Sequence, residues 1–241
     1  MAKIFLCSDL HTNFHKDGGK SVIKSFIKDV DIIAVAGDLS IITNGLLQEN
    51  IRMLCEEYPE VVYVSGNHEY YHSSFSSIDS ILNNLESELD NFTWLNNTKK
   101  EVGGVDFIGC TLWFPNSTAA QINKGFLNDY RCISGFEPAV YDRNEYSINY
   151  LESNIKEGDV VLTHHMPSYK CVHKKFAKSR FNCFFACRLD ALISRTKPSV
   201  WMYGHTHFNG DMMIGDTKVV ANPFGYPGEN PFFKDDLVIE V

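Results

Sequence analysis

The chain has 241 residues, 44% of them hydrophobic and 22% charged, with 22 Lys and Arg against 30 Asp and Glu. That apolar share excludes a disordered polymer, and no run reaches the ~18 apolar residues of a membrane-spanning helix. The formal net charge of −8 argues against a stable nucleic-acid complex. Met1 to Leu6 lack the apolar stretch and cleavage site of a secretory leader, so a cytoplasmic protein is expected. There, seven scattered cysteines read as free thiols.

No linker rich in Gly, Pro or Ser divides the sequence, and residues 1–241 read as one domain. Ile4–Leu6 is the first of five short apolar runs that suit strands buried on both faces. Ile23, Phe26, Ile27 and Val30 follow with the spacing of a helix. After the second run, Ile32–Ala36, the same spacing recurs at Leu47, Ile51, Leu54 and Tyr58, before Pro59. The third run, Val61–Val64, precedes a helix through Ile78, Ile81, Leu82, Leu85 and Leu89, with Ser73 and Ser74 as N-cap candidates.

Residues 114–142 have no clear period and read as a long irregular segment, a type that often covers a site. Ile148, Leu151 and Ile155 form a helix stopped by Gly158. The fourth run, Val160–Leu162, leads to a helix over Leu189, Leu192 and Ile193 that ends before Pro198. The fifth run is Val200–Tyr203. Met212–Ile214, Lys218–Ala221 and Leu237–Val241 then predict an antiparallel meander. Strands alternating with helices, then late strands, predict an α/β layered fold with a mixed sheet.

The polar residues fall where the strands end. Ile4–Leu6 runs into Asp9 and His11, Ile32–Ala36 into Gly37 and Asp38, and Val61–Val64 into Gly66, Asn67 and His68. Val160–Leu162 leads to His164 and His165, and Val200–Tyr203 to Gly204, His205 and His207. In open α/β sheets ligands sit at the carboxyl ends of the strands. Five strands thus deliver metal-binding residue types to one edge.

Asp9-Leu10-His11, Gly37-Asp38, Gly66-Asn67-His68-Glu69, His164 and Gly204-His205-Thr206-His207 resemble the five ordered motifs of the calcineurin-like metallophosphoesterases, and the tail around Asn222-Pro223 resembles the small bacterial and viral members. The resemblance implies a mixed β-sandwich flanked by helices in αββα layers, with a two-metal site at one edge. It implies one ion on Asp9, His11, Asp38 and His207 and a second on Asp38, Asn67, His164 and His205, with Asp38 bridging. Imidazole, carboxylate and amide ligands without thiolate suit manganese, iron or zinc better than calcium. Two divalent ions against two Asp and a bridging hydroxide leave one positive charge for an anionic ester, and the hydroxide would attack phosphorus in line. His68 matches the family's catalytic histidine, which protonates or stabilises the leaving oxygen. His165 reads as a packing residue, and His15, His72 and His173 as surface residues. All seven ligand positions being filled argues for an enzyme over a non-catalytic scaffold of the same fold.

The pattern departs from that of the protein serine/threonine phosphatases. They carry Asp three residues after the bridging Asp and then Arg, where this chain has Ile41 and Ile42. A phosphodiester of nucleotide type is therefore expected as substrate ahead of a phosphomonoester or phosphoprotein. Arg131, in Asn128-Asp129-Tyr130-Arg131, is a candidate phosphate clamp. Tyr169 to Arg188 holds six basic residues and no acidic one, so Lys174 and Lys175 are expected on a cationic flap, with Tyr169, Phe176 and Phe181 placed to stack on a base.

Overall fold

Ile4 and Leu6 alternate with Phe5 and Cys7 along one strand, and all four are fully buried. A strand buried on both faces needs a packed layer on each side. In the computed structural model, which describes residues 1–241, both layers are present. Ile4 and Leu6 join Ala34, Val62, Leu162 and Met202 in a core between two sheets. Phe5 and Cys7 face the other way, toward Ile51, Leu54 and Leu82 of the helices Leu46–Glu57 and Phe75–Glu88.

The first sheet runs in the order Val238–Glu240, Lys3–Cys7, Ile32–Ala36, Glu60–Val64, Phe92–Trp94. The second runs Gly210–Ile214, Thr217–Ala221, Val200–Tyr203, Val160–Thr163, Val105–Cys110, Thr98–Val102. Leu151 of the helix Phe136–Asn154 and Leu192 and Ile193 of Asp190–Thr196 cover the outer face of this second sheet. The layers are therefore helix, sheet, sheet, helix. Ser74 caps Phe75–Glu88 by accepting from the Ser77 N–H at 3.3 Å. No helix is long and apolar enough to cross a membrane.

Three local expectations are corrected. The first helix is only Lys20–Ser25, because Phe26 turns to an extended backbone and packs on Phe5 with centroids 5.1 Å apart. The late strands form no simple meander. Thr217–Ala221 pairs antiparallel with Gly210–Ile214 but parallel with Val200–Tyr203, and Val238–Glu240 crosses to the other sheet beside Lys3–Cys7. Asn222 stitches that crossing, its Nδ2 donating to Leu6 O at 2.8 Å and Lys234 O at 2.7 Å. Residues 114–142 are not irregular throughout: they hold the helices Thr118–Asn123 and Asp129–Cys132 and the start of Phe136–Asn154. The first two are too short for a period, and polar Asn144 and Ser147 interrupt the buried face of the third. The edge strand Thr98–Val102 carries no apolar run, because Lys100 and Glu101 are exposed.

Candidate metal centre

Lys3–Cys7, Ile32–Ala36 and Glu60–Val64 are parallel in one sheet, as are Val160–Thr163 and Val200–Tyr203 in the other. Their carboxyl ends meet at one edge of the sandwich. His164 ties the sheets together, its Nδ1 2.7 Å from Ala36 O while its own carbonyl accepts from Gly204 N–H at 2.9 Å. The His205 N–H donates to the Asp9 carboxylate at 3.0 Å.

The turns after these strands are tight. Asp9, His11, Asp38, His205 and His207 have φ of 54°, 44°, 55°, 67° and 49°, in the left-handed region. For non-glycine residues that region costs about 1–2 kcal/mol each, and such strain collects at functional sites. At Gly66 a Cβ would strike the Asp38 carboxylate, and at Gly37 it would lie 2.5 Å from His164 Nδ1.

All seven sequence-predicted ligands converge. His11 Nε2 and His207 Nε2 are 3.0 Å apart, and His207 Nε2 is 3.4 Å from Asp9 Oδ1. His164 Nε2 lies 3.2 Å from both His205 Nδ1 and Asn67 Oδ1. Asp38 stands between the two groups, with Oδ2 3.8 Å from His11 Nε2 and Oδ1 3.5 Å from His164 Nε2. Glu229 orients His207 through a 2.7 Å contact to Nδ1, and Ser8 Oγ donates to Asp9 Oδ2 at 2.5 Å.

The electrostatics suit cations. Burial alone would push Asp9 and Asp38 up, yet the surrounding imidazoles hold both carboxyls below the usual range. Burial lowers His164 and His207, but the carboxylates of Asp38 and of Asp9 and Glu229 override it and raise each to about 9. The imidazoles and the buried carboxylates thus favour each other's charged forms. The Nε2 of His205 is buried with no hydrogen-bond partner. Ring nitrogens converging on two carboxylates, with hard and borderline donors and no thiolate, fit divalent metal ions.

His68 sits beside the pair. Its backbone N–H donates to Asp38 Oδ1 at 2.9 Å, and its Nε2 lies 4.0 Å from Asp38 Oδ2. His165 is fully buried between Trp113 and His205, with Nδ1 3.1 Å from Thr111 O. Beside the cluster opens a cleft of about 430 Å³ lined by 22 residues. Phe126, Leu127, Phe176, Phe181, Phe185 and Phe208 give it aromatic and apolar walls, and Asn128, Asp129 and Asn182 add polar groups. His173 is exposed, as expected, and at the mouth of this cleft it stacks on Phe208 with centroids 4.3 Å apart.

The three candidate substrate residues lie elsewhere. Arg131 is exposed and donates to Asn128 Oδ1 at 2.8 Å, and Lys174 and Lys175 are exposed. None of them lines the cleft. Asp129, Tyr71, Tyr226 and Glu229, to which the sequence assigned no role, do line it. The Asn128–Arg131 tetrad held the usable signal, because its Asn128 and Asp129 line the cleft while Arg131 is exposed.

The calcineurin-like phosphoesterase family profile matches residues 2–209. The chain belongs to this family. It is a metal-dependent phosphoester hydrolase with the fold that its motifs implied. It is 28% identical to an uncharacterised protein of Acanthamoeba polyphaga mimivirus, over 97% of this chain and 95% of that one. Phosphopantetheinyl hydrolase from Mycobacterium tuberculosis superposes with a TM-score of 0.74 at 18% identity, covering 94% of this chain and 90% of that chain. A Thermus thermophilus protein superposes at 0.62 and 16% identity, covering 92% and 89%. These structures share the fold.

Proposed function

We propose that residues 1–241 act as one cytoplasmic domain that hydrolyses a phosphodiester of nucleotide type. Asp9, His11, Asp38 and His207 would hold one divalent ion, and Asp38, Asn67, His164 and His205 a second, with manganese the first choice. When bound, such ions neutralise phosphoryl charge and supply a water of lowered pKa as nucleophile. His68 would deliver a proton to the leaving oxygen, since it lines the cleft with Nε2 4.0 Å from Asp38 Oδ2 and is not among the seven proposed ligands.

One observation carries the choice of a diester: none of the 22 residues lining the cleft is Lys or Arg. A monoester is largely dianionic near neutrality and calls for cationic side chains, whereas a diester is a monoanion. Phe176 and Phe181 offer faces for a base, and the Asn128 and Asn182 amides offer partners for its edge. Arg131, Lys174 and Lys175 would then act by long-range attraction of the anion rather than by contact.

The test compares bis-p-nitrophenyl phosphate, p-nitrophenyl phosphate and a nucleoside p-nitrophenyl diester with Mn²⁺ present. The reading requires kcat/KM at least ~10-fold higher for the diesters, and highest for the nucleoside diester. Faster turnover of the monoester would replace it with a phosphomonoesterase.

A further inference from the structure

The carboxylate that protein phosphatases carry three residues after the bridging Asp is Ile41 here. His68 is nevertheless enclosed. Its ring meets His11 edge-on at 4.4 Å and stacks on Tyr71 at 4.3 Å and 23°. The Tyr71 hydroxyl donates to Asp129 Oδ1 at 2.6 Å, and Asn67 Nδ2 donates to the same oxygen at 3.0 Å. Asp129 is only 1% exposed, and its Oδ2 has no partner. Both side-chain hydrogen bonds of this buried carboxylate therefore go to the neighbours of the reacting centre.

Asp129 Oδ1 already accepts from the Tyr71 hydroxyl and so faces Asn67 as an acceptor. It takes the Nδ2 end of Asn67 and rejects the flipped amide, which would set oxygen against oxygen. The Oδ1 of Asn67 is thereby turned toward His164 Nε2, at 3.2 Å, where the second ion is proposed. A flipped Asn67 would present N–H donors to a cation.

We infer that Asp129 is a positioning residue with two clients. It sets the amide of Asn67 for the second ion, and it anchors the phenol on which His68 stacks. It reaches the site from the short helix Asp129–Cys132, outside the five strand-end turns. The inference rests on the two-ion reading above.

The test is calorimetric titration of Mn²⁺ into the wild type, Asp129→Ala, Asp129→Asn, Asn67→Ala and the Asp129→Ala/Asn67→Ala double variant. Wild type takes up two ions, and Asp129→Ala weakens one of them by ~10–100-fold, as loss of an outer partner does. In the Asn67→Ala background the same change adds less than ~3-fold, because its route is already gone. Asp129→Asn keeps the packing if the alanine chain does not fold; its amide accepts either orientation of Asn67, and one affinity falls at least ~3-fold. On the proton side, Asp129→Ala lowers kcat more for poor leaving groups than for good ones, with KM little changed. Wild-type affinity in both Asp129 variants, or fully additive losses, would overturn the inference and leave two-ion binding intact. Fewer than two ions in the wild type would overturn both.

Discussion

Glu69 Oε1 accepts the Leu39 N–H at 2.7 Å, so the turn after Ile32–Ala36 is held by a side chain from the turn after Glu60–Val64. Its Oε2 takes the N–H groups of Gly66 at 2.6 Å and Asp38 at 3.2 Å. Glu69 is wholly buried, and burial raises its carboxyl to about 7. Oε1 also accepts the Ser40 N–H at 3.4 Å, so Glu69→Ala would strand four buried donors at once. Each stranded donor costs ~1–3 kcal/mol, so urea unfolding should show a loss of about 3 kcal/mol or more, with Asp38 displaced. A loss under ~1 kcal/mol would mean that the turns hold themselves.

Metal dependence follows from the donor cluster. EDTA should abolish turnover, and Mn²⁺ should restore it. Among single ligand variants Asp38→Ala should be the worst, since its two oxygens face different histidines. Wild-type rate and two bound ions in Asp38→Ala would end the assignment.

His68→Ala should lower kcat by ~10²–10⁴ while the metal content stays at the wild-type value. The loss should shrink for esters with acidic leaving groups, which need less protonation. Equal losses across leaving groups of widely different pKa would assign His68 to positioning rather than proton transfer.

Gly66→Ala places a methyl group against the Asp38 carboxylate and 2.6 Å from the Asp38 nitrogen. The carboxylate must move, and bound Mn²⁺ should fall below two per chain by plasma emission spectroscopy. Gly125→Ala meets open space and should keep both ions. Matching metal content in the two variants would show that the Gly66 turn can yield.

The cleft predicts an asymmetry between the flap's rings and its charges. Phe181→Ala should raise KM for a nucleoside diester by ~10-fold, in the range of one lost base–aromatic stack. Lys174→Ala with Lys175→Ala should change it less than ~3-fold, with an effect that fades as salt rises, because both side chains are solvated. The opposite ranking would mean that the flap closes with its lysines inward.

The sequence alone determined the strands that carry the site and the polar residues at their ends, and the family resemblance picked out the seven of these that converge. Buried parallel strands must be short apolar runs, and a reactive edge must begin where each run ends, so Asp9, Asp38, Asn67, His164 and His205 were legible from their offsets. Pairing was not legible. Val238–Glu240 and Thr217–Ala221 have similar local patterns, yet an open sheet edge beside Lys3–Cys7 claims one and Val200–Tyr203 the other. Orientation was equally hidden. Asp129 and Arg131 share one helical turn, and only packing buries the carboxylate against Asn67 and Tyr71 while leaving the guanidinium in solvent. Likewise, the flap's basic run was plain in the sequence, but the tertiary structure turned its phenylalanines to the cleft and Lys174 and Lys175 outward. The physical reason is desolvation: an ammonium group facing the cleft would give up water, whereas the partly buried ring of Phe181 gains by leaving it, although Phe176 stays exposed at the rim.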